Sequence, residues 1–254
     1  MLNYWLKLWS TNENLFNNAI KLVKNWFFDF IELYVIPWKF NKDVLEDFVK
    51  NNITISIHVP HWAHWFNPID INNDCEEIWK DIRLYIELLR PFQVVMHPEI
   101  WSEVKVLEKR LNYFNDKRII IENMPKKSSI LPNIEFYWYS LEQIKEIKQI
   151  NSWFCFDFAK AKSSALSQWL EIRNFSNNLL DITNPHYFHI SGFLDNTEVD
   201  EHFDLWDWNS SLMKWMKDKL FDIWKQKDIY IVFECKKKDW VMNDMKNLEY
   251  FKTI

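Results

Sequence analysis

The sequence predicts a (β/α)8 barrel formed as one domain over residues 1–254, and three observations carry that expectation. Eight runs rich in Ile, Val, Phe and Tyr alternate with helical stretches, the pattern of successive parallel βαβ units. The length of 254 residues, 48% of them hydrophobic, matches the about 250 residues that eight such units commonly need. From the third run onward each run ends in a residue able to bind a metal: His58, His97, Glu122, Asp157, His189 and Glu234. In a closed barrel these six converge on one mouth, whereas in an open doubly wound sheet they would be strung along an edge.

In chain order the expected strands are Tyr4 to Leu8, Phe28 to Tyr34, Ile53 to His58, Gln93 to His97, Arg118 to Glu122, Phe154 to Asp157, Tyr187 to Ser191 and Ile229 to Glu234. Each is short, β-branched or aromatic, and bounded by polar residues, as buried parallel strands are. Helices are expected between them, among others over Glu13 to Lys24, Lys42 to Asn51, Cys75 to Leu89, Ser102 to Phe114, Ser140 to Ile150 and Asn243 to Phe251. In the third of these, Ile78, Ile82, Tyr85, Ile86 and Leu89 recur at spacings of three and four, which gives one apolar face to lay on a sheet. Thr11 and Ser140 have the hydroxyl that an N-cap requires. No repeat beyond the βα period and no interdomain linker interrupts the pattern.

The opening MLNYWLKLWSTNE has no basic segment leading into an apolar one, and nowhere do ~18 apolar residues run uninterrupted, so a cytoplasmic chain without membrane contact is expected. Three cysteines, Cys75, Cys155 and Cys235, show no C-x-x-C spacing and fit reduced thiols, the last two packed in strands. A net charge of -5 provides no global basic field, although a local patch would still serve a nucleic acid. The abnormal feature is one glycine, Gly192, beside 16 tryptophans. Ordinary usage of ~7% would give about 18 glycines. Trp26 ends a helical run, Trp38 follows Pro37 in a turn, and Trp153 sits between a helix and a strand, all places where the backbone favours glycine over indole. The expectation is a gene from a genetic code in which one codon, UGA being the obvious one, means glycine and has been translated as tryptophan.

Three imidazoles and three carboxylates without sulfur suit a divalent ion, Zn2+ first and Mn2+ as the alternative, better than Ca2+. One ion needs about four ligands, so this inventory holds one ion, or two if a carboxylate bridges. Glu122 and Glu234 end very apolar strands, where an unpaired carboxylate is costly and a cation is the expected partner. His61 and His64 are expected in loop or substrate-contact roles, His186 in a structural one, and Glu32 either lining the mouth or facing solvent.

The pieces IHVPH (Ile57 to His61), VVMHP (Val94 to Pro98), IIIEN (Ile119 to Asn123), FCFDFAKA (Phe154 to Ala161), FHIS (Phe188 to Ser191), VDEHFDLWDW (Val199 to Trp208) and IVFE (Ile231 to Glu234) together resemble the endonuclease IV and xylose-isomerase-like TIM barrels over nearly the whole chain. The most specific piece is Asp200-x-His202 followed by LWDW, where that family commonly has Leu-Gly-Glu-Gly, so Trp206 and Trp208 stand at two of its glycines.

The resemblance to endonuclease IV implies one ion on His58, His97 and Glu122, with Glu122 bridging to a second held by Asp157, His189 and Glu234. A third would use Asp200 and His202, but the imidazole that completes it is replaced by Lys160, which predicts that this position is lost or weakened. Lys160 then serves as positive charge for a substrate phosphate, as an acid or base, or only as a counter-ion to the carboxylates. The implied reaction is hydrolysis of a phosphodiester, abasic-site DNA or a related ester, by metal-bound hydroxide. Against the family pattern, VIPWKFNK (Val35 to Lys42) stands where an Asn-Pro-Arg-type segment belongs. The alternative is a sugar isomerase or epimerase acting on a small sugar or sugar phosphate, with one ion on Glu122, Asp157, His189 and Glu234 while Glu122 and Glu234 exchange the substrate proton. For that reading the usual arginine after His189 is missing from SGFLDNTEVD (Ser191 to Asp200). A third reading is a degenerate, non-catalytic barrel that keeps its ligands.

Overall fold

The computed structural model describes residues 1–70, 73–98, 103–127, 135–194, 196–207, 210–237 and 242–254. Eight parallel strands close into one barrel in sequence order: β1 (Leu2–Trp9), β2 (Phe30–Tyr34), β3 (Ile55–His58), β4 (Val94–Met96), β5 (Ile119–Glu122), β6 (Phe154–Asp157), β7 (Tyr187–Ile190) and β8 (Ile229–Phe233), with β8 pairing back onto β1. Around it run α1 (Glu13–Lys24), α2 (Lys42–Lys50), α3 (Asn73–Leu89), α4 (Val104–Phe114), α5 (Leu141–Ile150), α6 (Phe158–Ser167), α7 (Ile172–Thr183), α8 (Ser210–Trp224) and α9 (Met242–Thr253). All eight expected strands form, most with ends trimmed by one or two residues. Ser102, where the fourth helix was expected to begin, lies outside the described residues. Among the described residues no helix is long and apolar enough to cross a membrane.

Strand alternation builds two cores. Leu6 and Leu8, Ile31 and Leu33, Ile55 and Ile57, Val94 and Met96, Ile119 and Ile121, and Phe154 and Phe156 belong to the large cluster shared with the helices. The opposite phase points into the barrel, where Trp5, Val95, Ile120, Cys155, Tyr187 and Val232 form a separate apolar layer. Two residues further along the same strands, still on the inward phase, stand Lys7, His97, Glu122, Asp157, His189 and Glu234. The barrel is therefore plugged with apolar side chains below and lined with ionisable ones above.

Local signals set the helix ends. Ser140 caps α5 through a full capping box: its hydroxyl accepts from the Gln143 N–H, and the Gln143 carboxamide oxygen accepts from the Ser140 N–H. Thr11 does not cap α1. Asn12 takes the cap position, and its side chain turns back to accept from the Trp9 N–H at 2.8 Å. Gly192 sits in a close approach of two chain segments, exchanging backbone hydrogen bonds with Phe203 at 2.8 and 2.9 Å. A Cβ there would lie 2.0 Å from the Asp204 carbonyl oxygen, so only glycine fits this bridge.

Candidate metal centre

Glu122, at the end of β5, is the hub of the barrel mouth. Its Oε2 faces His97 Nε2 at 2.6 Å and His58 Nε2 at 3.3 Å, and its Oε1 faces His189 Nδ1 at 2.8 Å and Lys160 Nζ at 2.7 Å. Donor atoms of His58, His97 and Glu122 lie within 4.8 Å of one another, as do those of Glu122, Asp157, His189 and Glu234. The six strand-end residues thus meet in one place.

The imidazoles are oriented for cation binding. His58 gives its Nδ1–H to the Val59 carbonyl oxygen at 2.8 Å, and burial holds its pKa down at about 4. A neutral His58 therefore aims the Nε2 lone pair at a carboxylate oxygen, an arrangement of two acceptors that calls for a cation between them. His189 sits between Glu32, on its Nε2 at 3.0 Å, and Glu122 and Glu234, on its Nδ1 at 2.8 and 3.0 Å. Burial opposes charge on this ring, while the carboxylates of Glu32, Glu122 and Glu234 raise its pKa well above the usual histidine range.

Of the two alternatives left open for Glu32, lining the mouth or facing solvent, the structure rules out the second. Glu32 is fully buried, on the inward phase of β2, and acts from behind His189. The Tyr187 hydroxyl donates to it at 2.7 Å and shares a 2.6 Å hydrogen bond with Ser56, and Lys7 pairs with it at 3.0 Å. Sequence reasoning also passed over Lys7, which is 5% exposed and hydrogen-bonds Glu234 as well. Its signal was present in YWLKLW: a lysine two residues after the inward Trp5 must point into the barrel. Burial works against this ammonium, and Glu234, Glu32 and Glu122 more than restore it, so its pKa stands above the usual lysine range.

Lys160 is 4% exposed, with its ammonium 2.7 Å from Glu122, 3.2 Å from His97 Nε2 and 3.5 Å from Asp157 Oδ2. Asp157 caps α6 by accepting from the Lys160 N–H at 2.8 Å; burial raises its carboxyl pKa to about 7, against the opposing charge of Lys160. Asp200 and His202 stand apart from these groupings. They pair with each other at 3.1 Å, and His202 donates Nδ1–H to the Glu234 carbonyl oxygen at 3.0 Å. Against the cost of burial, Asp200 and Glu234 raise the His202 pKa to about 9. His61 stacks on His97 at 5.8 Å, His64 meets the Tyr34 hydroxyl at 2.8 Å, and His186 packs against Trp153 and Tyr230 at the opposite end of the barrel. Burial pushes the Cys155 thiol up to about 12, which leaves it a protonated packing residue under the centre.

No family model and no curated protein sequence matches the chain. Among solved structures it is similar to endonuclease IV from Thermus thermophilus, at 13% identity and a TM-score of 0.64 over 98% of this chain and 97% of that one. It is equally similar to the family 2 AP endonuclease from Brucella melitensis, at 14% identity and a TM-score of 0.65 over 99% and 98%. A 3-keto-D-glucoside 4-epimerase from E. coli superimposes at 10% identity and a TM-score of 0.61, over 100% of both chains. The chain has the TIM-barrel fold of these enzymes. Barrels of this fold carry both of the chemistries weighed for this chain, so the choice between them falls to the side chains at the mouth.

A divalent ion fits those side chains. Asp157 Oδ2 and Asp200 Oδ1 are buried and accept no hydrogen bond, and the His58 and His97 Nε2 atoms converge on one carboxylate oxygen. Nitrogen and oxygen donors without a thiolate suit a divalent ion.

Proposed function

We propose that this xylose-isomerase-like barrel is a divalent-metal-dependent enzyme that hydrolyses phosphate esters, with abasic-site DNA or a related phosphodiester as substrate. The observation that carries the reading is the convergence of His58 and His97 on Glu122 Oε2, a preformed set of three ligand atoms that proton transfer on a sugar does not use. His58, His97 and Glu122 would hold an ion, which when bound supplies Lewis-acid stabilisation of phosphoryl charge and a lowered pKa for water. Lys160 presents a fixed ammonium beside the same carboxylate, placed to pair with a phosphoryl oxygen. Asp157, with its pKa near 7, holds or releases a proton at Oδ2 near neutral pH. Lys39, Lys126, Lys127, Lys236 and Lys237, in loops after β2, β5 and β8, lie at this end of the barrel, where a nucleic-acid backbone would run.

One observation favours a second reading. Glu122 and Glu234 both face His189 Nδ1, at 2.8 and 3.0 Å, the paired carboxylates that a ketose epimerase uses to exchange a proton on carbon. The two readings separate in one experiment. Metal-loaded protein is assayed on an abasic-site duplex and on bis(p-nitrophenyl) phosphate, and in parallel for epimerisation of D-fructose. Phosphodiester cleavage lost in His97→Ala supports the hydrolase; epimerisation that survives His97→Ala replaces it with the sugar enzyme.

A further inference from the structure

We propose that the centre holds a single divalent ion, on His58, His97 and Glu122, and that the ammonium groups of Lys160 and Lys7 stand in for a second one. This rests on the reading of the mouth as a metal centre, not on the substrate. Lys160 occupies the space between Glu122, Asp157 and His97, at 2.7, 3.5 and 3.2 Å, and is fixed there because Asp157 caps the helix that carries it. Lys7 closes the other side, on Glu234 and at 3.0 Å from Glu32. Four carboxylates, those of Glu32, Glu122, Asp157 and Glu234, face this space together with two ammoniums, and the Asp200–His202 pair balances itself. A second ion in the same space would lie against both ammoniums, which are buried at 5% exposure for Lys7 and 4% for Lys160 and cannot turn out to water, a costly state. A tethered ammonium also serves phosphate recognition as a point charge that needs no loading.

The test is the metal-to-protein ratio of the unaltered chain after loading with Zn2+ or Mn2+ and removal of excess, by elemental analysis and native mass spectrometry. One ion per chain is expected, lost in His97→Ala and kept in Asp157→Asn, with the Lys7→Met and Lys160→Met pair admitting a second. Two ions in the unaltered chain, or one that is lost in Asp157→Asn and kept in His97→Ala, would overturn the proposal, and no ion would remove the centre itself. One ion without phosphodiester cleavage would sink the hydrolytic reading and leave this inference standing; two ions with cleavage would do the reverse.

Backbone conformation independently supports a second inference: we infer that glycine stands in the native protein at the positions written Trp26, Trp38, Trp65, Trp138 and Trp169. Ten non-glycine residues of the described chain have left-handed φ, and these five are among them, at 62, 58, 65, 68 and 58°. Tryptophan is 16 of 254 residues, so ten positions taken without preference would include fewer than one. Asn52, Asn115 and Asn184, also in the set, are of the type that tolerates this region, whereas a bulky side chain there is an outlier. Trp26 and Trp169 each close a helix in the hydrogen-bond pattern that favours glycine. The Trp26 N–H reaches Val23 O and the Phe27 N–H reaches Leu22 O; the Trp169 N–H reaches Leu166 O and the Leu170 N–H reaches Ala165 O. Four of the indoles bury little, with Trp26, Trp38, Trp65 and Trp169 60–93% exposed, whereas Trp138 is packed in the core beside Tyr137 with no partner for its N–H. Trp153 and Trp206 lack this conformation and Trp208 lies outside the described residues, so those positions contribute nothing to the case.

Peptide mass mapping of the protein from its own cells decides the matter: glycine masses at these positions are expected, and tryptophan masses would overturn the inference. In the chain as written, combined Trp26→Gly, Trp38→Gly, Trp65→Gly and Trp169→Gly should raise the urea midpoint, while Trp215→Gly, inside α8, should lower it. A fall in the combined variant would count against the inference equally.

Discussion

Glu122 matters because its two oxygens do different work: Oε2 gathers His58 and His97, and Oε1 meets His189 and Lys160. Glu122→Gln removes the charge that both pairs require and is expected to weaken metal binding at least about tenfold, measured by competition with a chromogenic chelator. Lys160→Met should lower kcat on a phosphodiester by roughly 100-fold, the scale of losing one preorganised donor to transition-state charge, with a smaller change in KM. An unchanged kcat would reduce Lys160 to a counter-ion. At this scale the strand-end residues of the mouth were legible in the sequence because each closes an apolar run. Lys7 was not, and Glu32 only as one of two alternatives, because both lie two residues inside their strands. There only the alternation set by Trp5 and Phe30 reveals that they face inward. Asp200 and His202 were read as ligands of a weakened third position, and the structure has them paired with each other.

Strands were the easiest elements to read, since buried parallel strands are nearly continuous apolar runs, and β6 forms over the very residues expected. Helices with one apolar face, such as α1, were equally plain. The chain between Phe158 and Trp224 was harder. Phe158 to Ala165 of α6 are buried on every side, so no amphipathic period marks that helix. Capping makes a test at this scale: Ser140→Ala removes one half of the α5 capping box and should cost ~1 kcal/mol in urea denaturation. Gly192→Ala should cost more, on the order of 1–3 kcal/mol, because its Cβ collides with the Asp204 carbonyl oxygen and opens the bridge to Phe203. That bridge ties down the segment bearing Asp200 and His202, so the variant should also disturb the mouth.

Closure of the barrel turns six dispersed residues into one site, and the same closure concentrates unbalanced charge at the mouth. An ion that binds only the folded chain should therefore stabilise it, by about 2.7 kcal/mol at a free concentration 100 times its Kd, and a chelator should reverse the gain in a thermal melt. Charge convergence was readable from sequence once the strands were ordered; the number of ions was not, because it depends on where two lysine side chains end. The most direct test of the central claim, that this mouth is a divalent-metal centre, is anomalous diffraction at the zinc edge from crystals of the loaded protein. One peak is expected between His58, His97 and Glu122, with Lys160 beside it. An empty mouth, with the Lys160 ammonium alone among the carboxylates, would contradict it.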